Sequence, residues 1–297
     1  MPLISRNLLL ILVGSLITAM PAAGVSINEI MYHPLSDEDG DEFIELYNPS
    51  GVPVDLENWC FDGVDLCFPN GASIDALGFL VVAQDATQFQ ATYGSAPDYV
   101  YLLRLDDNGE RIELYDAAEI LVDMVVYSDG DDWPVTPDGL GPSLEVIAPN
   151  LDNGTPRNWH ASTVALGSPG EVNTVDAAVL PPLIDNVQHT TEPAPLDPIT
   201  VTAEITDATG VSLYYVIDFG TETVLTMLDD GLSGDGAAGD GLYGVTIPGQ
   251  SDGALVRYRI EATATATMYF PRDDDTVTYT GTAVIDPVLS SNMPILH

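Results

Sequence analysis

The stretch Glu42-Phe-Ile-Glu-Leu-Tyr-Asn48 sets carboxylates at 42 and 45 among apolar and aromatic residues, and Glu110-Arg-Ile-Glu-Leu-Tyr-Asp116 repeats it at an offset of 68 residues. That composition and alternation is the signature of a half-buried strand. It puts Glu45 on the face opposite Glu42, so the two do not form a catalytic pair. Val54-Asp55-Leu56 matches Val122-Asp123-Met124 at the same offset, which leaves two readings open: internal symmetry, or coincidence between strands of like pattern. Outward from these, 25–32, 78–84, 119–127 and 143–148 read as strands, as does 54–61. One short helix is expected after Asp85, which caps it with Gln88 as capping-box partner; Phe89 and Tyr93 share its face.

A second strand series occupies 183–189, 199–207, 211–219, 223–228, 242–248, 254–263 and 276–283, about seven strands in about a hundred residues, as in a small Greek-key sandwich. Between the series, 174–182 ends in Pro181-Pro182 and reads as a linker. The chain is therefore expected to be all-β, with two tandem immunoglobulin-like β-sandwiches.

At the amino terminus Arg6 precedes an apolar run from Leu8 to Met20 and the small residues Ala22 and Gly24, the pattern of a secretory signal peptide over 1–24; a retained anchor is the other reading. The whole chain has 46 Asp and Glu against 7 Lys and Arg, all seven of them arginine, for a net charge of −39. After cleavage before Val25 six arginines remain. Such a surface repels nucleic-acid phosphates and anionic membranes. It fits either ordinary solubility or, the reading favoured here, a halophilic protein whose carboxylates are screened by salt.

Cys60 and Cys67 flank a hairpin whose two-residue loop is Gly63-Val64, a register that sets the two thiols opposite each other. An exported chain meets oxidising conditions, so a structural disulfide is expected, with two reduced buried cysteines as the alternative.

Asp229, Asp230, Asp235 and Asp240 lie among six glycines in the loop 229–244. Calcium takes six to eight oxygens, and glycines allow them to converge, so these four are candidate ligands; the spacing misses the EF-hand template, and a solvated acidic turn is the competing reading. The loop also contains G-x-G-x-x-G twice, but a strand and not a helix follows, so no dinucleotide site is expected. Asp273-Asp274-Asp275 and the acidic groups near 37 and 129 read as solvated loops. The sequon Asn153-Gly-Thr155 reads as an exposed loop. His33, His160, His189 and His297 have no zinc-ligand spacing, and no nucleophile motif is present. Trp59, Trp133 and Trp159 read as packing residues rather than a sugar-stacking surface.

In order along the chain, Asn28-Glu29-Ile30-Met31-Tyr32, Glu42 to Asn48, Val54-Asp55-Leu56 with Trp59, Phe68-Pro69, Gly78 to Val82, Gly141-Pro-Ser-Leu-Glu145, Asn158-Trp159 and Gly167-Ser-Pro-Gly170 resemble the bacterial lamin-tail domain family. The resemblance covers about half of the chain. It implies an immunoglobulin-like sandwich over 25–173 that is usually non-catalytic and sits on exported or surface proteins. The second series is similar to the immunoglobulin-like or fibronectin-III-like modules that follow such domains, here 183–284. In relatives a spore-coat-H-type kinase domain often comes next, and 285–297 looks like the start of a further segment. The expected function is an exported, non-catalytic interaction or anchoring module, possible calcium stabilisation included, whose partner is a cell-envelope or extracellular polymer or protein. The alternatives are an extracellular calcium-assisted hydrolase and the amino-terminal fragment of a secreted kinase.

Overall fold

A computed structural model describes residues 24–130 and 132–288. The signal-peptide reading of 1–24 and the end of the 285–297 tail therefore lie outside the described residues, save Gly24 and residues 285–288.

The first domain runs through β1 (Ser26–Met31), β2 (Phe43–Tyr47), β3 (Val54–Asp55), β4 (Cys60–Asp62), β5 (Leu66–Cys67), β6 (Ser73–Ile74), β7 (Phe79–Ala83), α1 (Ala86–Tyr93), β8 (Tyr99–Val100), β9 (Arg111–Tyr115), β10 (Leu121–Val126), β11 (Leu144–Val146) and β12 (Trp159–Ala161). A six-stranded sheet in the order β12-β11-β1-β2-β7-β8 packs on a four-stranded sheet in the order β10-β9-β4-β5, and β3 pairs with β6 at the side. Between the sheets lie Ile27, Ile44 and Leu46 from one face and Phe61, Ile112, Leu114 and Val125 from the other, all buried. Alternate positions face opposite ways, so the same strands also carry a second layer: Met31, Phe43 and Val81 pack beneath Phe89 of α1. Asp85 caps α1 by accepting from the amides of Thr87 and Gln88. Gln88 does not complete a capping box; its side-chain amide donates to Asp41 at 3.2 Å.

The repeat is not carried into the topology. β2 and β9 lie in opposite sheets and feed one core from either side, with different partners: β2 pairs with β1 and β7, β9 with β10 and β4. Val54-Asp55 sits in a two-residue ladder with β6, whereas Val122-Asp123 belongs to β10. The expected strand 54–61 is also broken, because Asn58 takes a left-handed φ of 62° between β3 and β4. The cysteine register is as expected: Cys60 opposes Cys67, Phe61 opposes Leu66, and the two sulfurs are bonded. Gly63 takes the positive φ the turn requires, and Asp65 takes a second one.

The second domain comprises β13 (Leu183–His189), β14 (Ile199–Thr206), β15 (Gly210–Ile217), β16 (Thr223–Thr226), β17 (Leu242–Ile247), β18 (Leu255–Thr263), β19 (Thr267–Phe270) and β20 (Thr280–Ala283). One sheet is β13-β14-β17; the other is β16-β15-β18-β19, with β20 also on β18. The burial of β14 and β18 alternates strictly, which places Val201, Ala203, Val256, Tyr258 and Ile260 in the core between them. The strand expected at 276–283 shortens to β20. β19 has no sequence counterpart in the expectation, being four residues ended by Pro271.

Candidate functional site

Three glutamates dominate the first domain's polar interior. Glu29 on β1 is in register with Glu45 on β2 and Glu145 on β11, and all three are fully buried. Strands so paired present like charges side by side, which is destabilising unless donors or protons compensate. Most of the donors come from one segment, 167–175, folded over this face, and Ser143 and Asn28 supply the others. Glu29 accepts from Ser143 Oγ at 2.6 Å and the Ser168 amide at 2.8 Å. Glu145 accepts from Ser168 Oγ at 2.8 Å and Thr174 Oγ1 at 2.7 Å. Glu45 accepts from Asn28 Nδ2 at 2.9 Å and the Gly170 amide at 2.5 Å. Asn173 is also buried, and its amide donates to the Asn28 and Val146 carbonyls. Burial, aided by the neighbouring Glu145, raises Glu29 to about 8; burial and the Glu29 charge hold Glu45 well above the usual carboxylate range. Raised carboxyls mark functional sites only where substrate reaches them, and these are sealed beneath the segment they bind. The arrangement acts as a lock. Glu42, on the opposite face as expected, accepts from the Leu105 amide at 2.7 Å and is raised to about 8 by burial.

An accessible concavity lies between the domains. A cleft of about 850 Å³ is bounded by Trp133 and Leu151 of the first domain and by Ile184, Val187, Met268 and Phe270 of the second. Each domain sends one arginine across its flank. Arg157 donates to the Pro181 carbonyl and, at 2.7 Å, to Asp207. Arg272 donates to the Trp159 carbonyl at 2.7 Å and holds Asp274 through Nε at 2.8 Å and Nη2 at 2.9 Å. Asp274 in turn accepts from the Ala161 amide at 3.1 Å, on the β12 edge. This corrects the reading of 273–275 as a solvated loop: Asp274 is only 6% exposed. The misreading has a cause, since the one cation that neutralises it, Arg272, stands two residues away beside Pro271, and only the domain contact buries the pair. His160 Nε2 lies 3.2 Å from Asp273 and 3.5 Å from Asp274. Burial pulls His160 down, but the bond to Asp273 and the charge of Asp274 outweigh it, so its pKa is raised. His160, Asp273 and Asp274 converge closely enough to hold a metal. The guanidinium already on both Asp274 oxygens supplies the positive charge there.

The 229–244 loop spends its carboxylates on its own amides. Asp235, buried, accepts from Asp230, Gly231 and Ser233 amides. Asp229 accepts from Gly239 and Gly241, Asp230 from Leu232 and Ser233, and Asp240 from Ala237 and Leu242. Five of its six glycines take positive φ, which is how those amides turn inward. Asn153 of the sequon is buried and donates to the Ile27 carbonyl and Asp123, so this segment is not the exposed loop expected. Trp133 and Trp159 are buried 5.9 Å apart, and Trp59 packs on the core.

Comparison with known proteins agrees with this architecture. The family model described as Lamin Tail Domain matches residues 18–129, and that of the Conditioned medium factor 2nd Ig-like domain matches 186–266. The first match stops short of β11, β12 and the 167–175 segment that completes the sandwich. No curated protein matches the chain. Among solved structures, the one titled the crystal structure of a Br derivative of BhCBM56 aligns with 33% of this chain and 90% of its own, at 10% identity and a TM-score of 0.24. The two family matches thus liken the first part of the chain to a lamin tail domain and the second to an Ig-like domain of the conditioned-medium-factor kind.

Proposed function

We propose that the chain is an exported, non-catalytic interaction or anchoring module whose partner is a cell-envelope or extracellular polymer or protein. One observation carries this reading. Glu29 and Glu45 are sealed under 167–175 and hydrogen-bonded there, Glu42 is buried on the opposite face against the Leu105 amide, and none of the three lines the accessible cleft. Chemistry needs the reverse, perturbed groups at an accessible pocket. The family matches support a module used for interaction, and none of the strongly raised carboxyls Glu29, Glu42 and Glu45 lines the cleft a hydrolase would use. Export rests on the leader-like 1–24 and agrees with the bonded cysteines. The calcium part of the reading rests on the acidic loop 229–244 alone.

The test expresses the full chain in its source host, maps the amino terminus of the product by mass spectrometry, and measures cosedimentation with isolated envelope material, with calcium or with chelator. The expected result is a product beginning at Val25, outside the cytoplasm, that sediments with the envelope. An uncleaved cytoplasmic product that stays in the supernatant would overturn the proposal.

A further inference from the structure

The second domain presents one cation that the rest of the chain has left alone. In a chain with 46 acids, the other described arginines each lie within ion-pair distance of a carboxylate: Arg104, Arg111, Arg157, Arg259 and Arg272. Arg257 is the exception among the described residues. It stands on the outward face of β18, two residues from Arg259 on the same face, where the register opposes it to Val216 on β15 and Gly281 on β20. The two backbones approach closely there, since a Cβ added at Gly281 would lie 2.0 Å from the Val256 carbonyl oxygen and 2.8 Å from Arg257 Cα. The guanidinium lies 5.7 Å from the ring centre of Phe219 and 5.7 Å from that of Tyr279. Its Nη2 donates to the Asp218 carbonyl, its Nε is buried without an acceptor, and no described residue takes its remaining amino group.

The neighbouring pair explains how the site is held. Arg259 forms a two-toothed bond to Glu222 at 3.0 and 3.1 Å and stacks 4.2 Å over Tyr214. Tyr279 donates to the same Glu222 at 2.7 Å, which fixes its ring beside Arg257. On the other side Phe219 is 96% exposed, a flat apolar ring standing in water. Two cations sit two residues apart on one strand. One is neutralised and braces the site; the other is flanked by aromatic faces and unpaired.

We infer that Arg257, Phe219 and Tyr279 form a binding site for a uronate unit of an acidic polysaccharide. The reading rests on the interaction-module function proposed above and names its partner class. The guanidinium donates to the sugar carboxylate through its free amino group, and Phe219 covers the apolar face of the pyranose ring. The local charge at Arg257 selects the occupant, against the repulsion that the chain as a whole exerts on anions. An unpaired guanidinium in a strongly anionic chain discriminates for a ligand carboxylate, since no carboxylate of the chain competes for it. The exposed ring selects a ligand with a flat apolar face beside that carboxylate, which an acidic peptide lacks.

The test is calorimetric titration of the full chain with a galacturonic acid hexamer in about 0.5 M NaCl, where the Debye length is short enough to screen the protein's overall repulsion. Wild type is expected to bind the hexamer and to bind the neutral galactose hexamer at least tenfold more weakly. Arg257→Gln and Phe219→Ala each lower uronate affinity at least tenfold. Arg104→Gln, which removes the same charge elsewhere, leaves it unchanged. Should Arg257→Gln fail to fold, Arg257→Lys keeps the charge but loses the planar fork, and a drop of threefold or more is expected. No uronate binding, equal binding by Arg257→Gln, equal binding of the neutral hexamer, or tighter binding of an octaglutamate peptide would each overturn the assignment. If envelope cosedimentation persists while uronate binding fails, the site is wrong and the module reading stands; if both fail, both fall.

Discussion

Glu29 lies directly opposite Glu145 across β1 and β11, and both carboxyl groups are buried with no cation of the described residues beside them. Burial is the larger effect on Glu29 and the neighbouring Glu145 adds to it, raising its pKa from 4.5 to about 8. A carboxyl whose pKa rises on folding holds its proton more tightly in the native state. Between about pH 4.5 and pH 8 the native chain therefore binds more protons than the unfolded one, and stability falls as pH rises. The first domain should melt several degrees lower at pH 8 than at pH 5, a loss of at least about 2 kcal/mol. Glu29→Gln mimics the protonated group and reduces that slope, measured by calorimetry across the range, while the raised carboxyls of Glu42 and Glu45 keep part of it. Repulsion among surface carboxylates gives a decline of the same sign, but Glu29→Gln leaves that part in place.

Gly167 closes the lid on the same glutamate. Its φ is +74°, and an added Cβ would lie 2.0 Å from Glu29 Oε1 and 2.4 Å from Ser143 Oγ. Both are buried and bonded to each other, so neither yields cheaply. Gly167→Ala should cost about 2–4 kcal/mol, from left-handed strain, overpacking and a broken carboxylate bond. Chemical denaturation would show it as a lower midpoint. An unchanged midpoint would mean that 167–175 is not needed to seal the sheet.

The domain seam depends on Arg272. Removing it leaves Asp274 buried with only the Ala161 amide and His160 as partners, and breaking a buried pair from one side costs about 3–5 kcal/mol. Since Asp274 belongs to one domain and Ala161 to the other, the cost falls on docking. Arg272→Ala should separate the melting of the two sandwiches and make 174–182 more sensitive to protease. A single unchanged transition would mean that the domains are coupled by other contacts.

The disulfide closes a short hairpin with a sequence separation of 7. For a loop that small the entropy model gives about 2–3 kcal/mol. Reduction, or the double Cys→Ser variant at 60 and 67, should lower the melting of the first domain and leave the second unaffected. Titration of the denatured, unreduced protein is expected to find no free thiol.

Much of this architecture was legible in sequence because it rests on local rules. Apolar alternation located β1, β2, β7, β9 and β14 to β18; the Gly63 turn set the cysteine register; and Asp85 announced α1. What escaped is what depends on contacts distant in sequence. Nothing in 167–175 says that Ser168 and Gly170 will reach Glu29 and Glu45, more than a hundred residues earlier. Asp274 reads like its exposed neighbours until the other domain is placed over it. Asn153 fits a sequon until its side chain is seen tying β1 to β10. The likeness of 42–48 to 110–116 was real as a pattern and empty as topology, because any strand facing the same core needs apolar residues at the same alternate positions.

Salt should act on the whole molecule. The carboxylates outnumber arginines 46 to 7, and most acidic side chains of the loops around 37, 107 and 230 are exposed, so folding brings like charges together that the unfolded chain keeps apart. At about 0.1 M ionic strength the Debye length is about 10 Å, comparable to the spacing of surface charges, and at 1 M about 3 Å. The melting temperature at pH 7 should therefore climb by several degrees from dilute buffer to molar NaCl. General salting-out gives a rise too, and pH separates the two causes. Near pH 4 about half of the ordinary carboxylates are protonated, so a rise caused by screening shrinks there, whereas one caused by solvent exclusion persists. Equal melting temperatures in dilute buffer and molar NaCl at pH 7 would remove the halophilic reading of this composition.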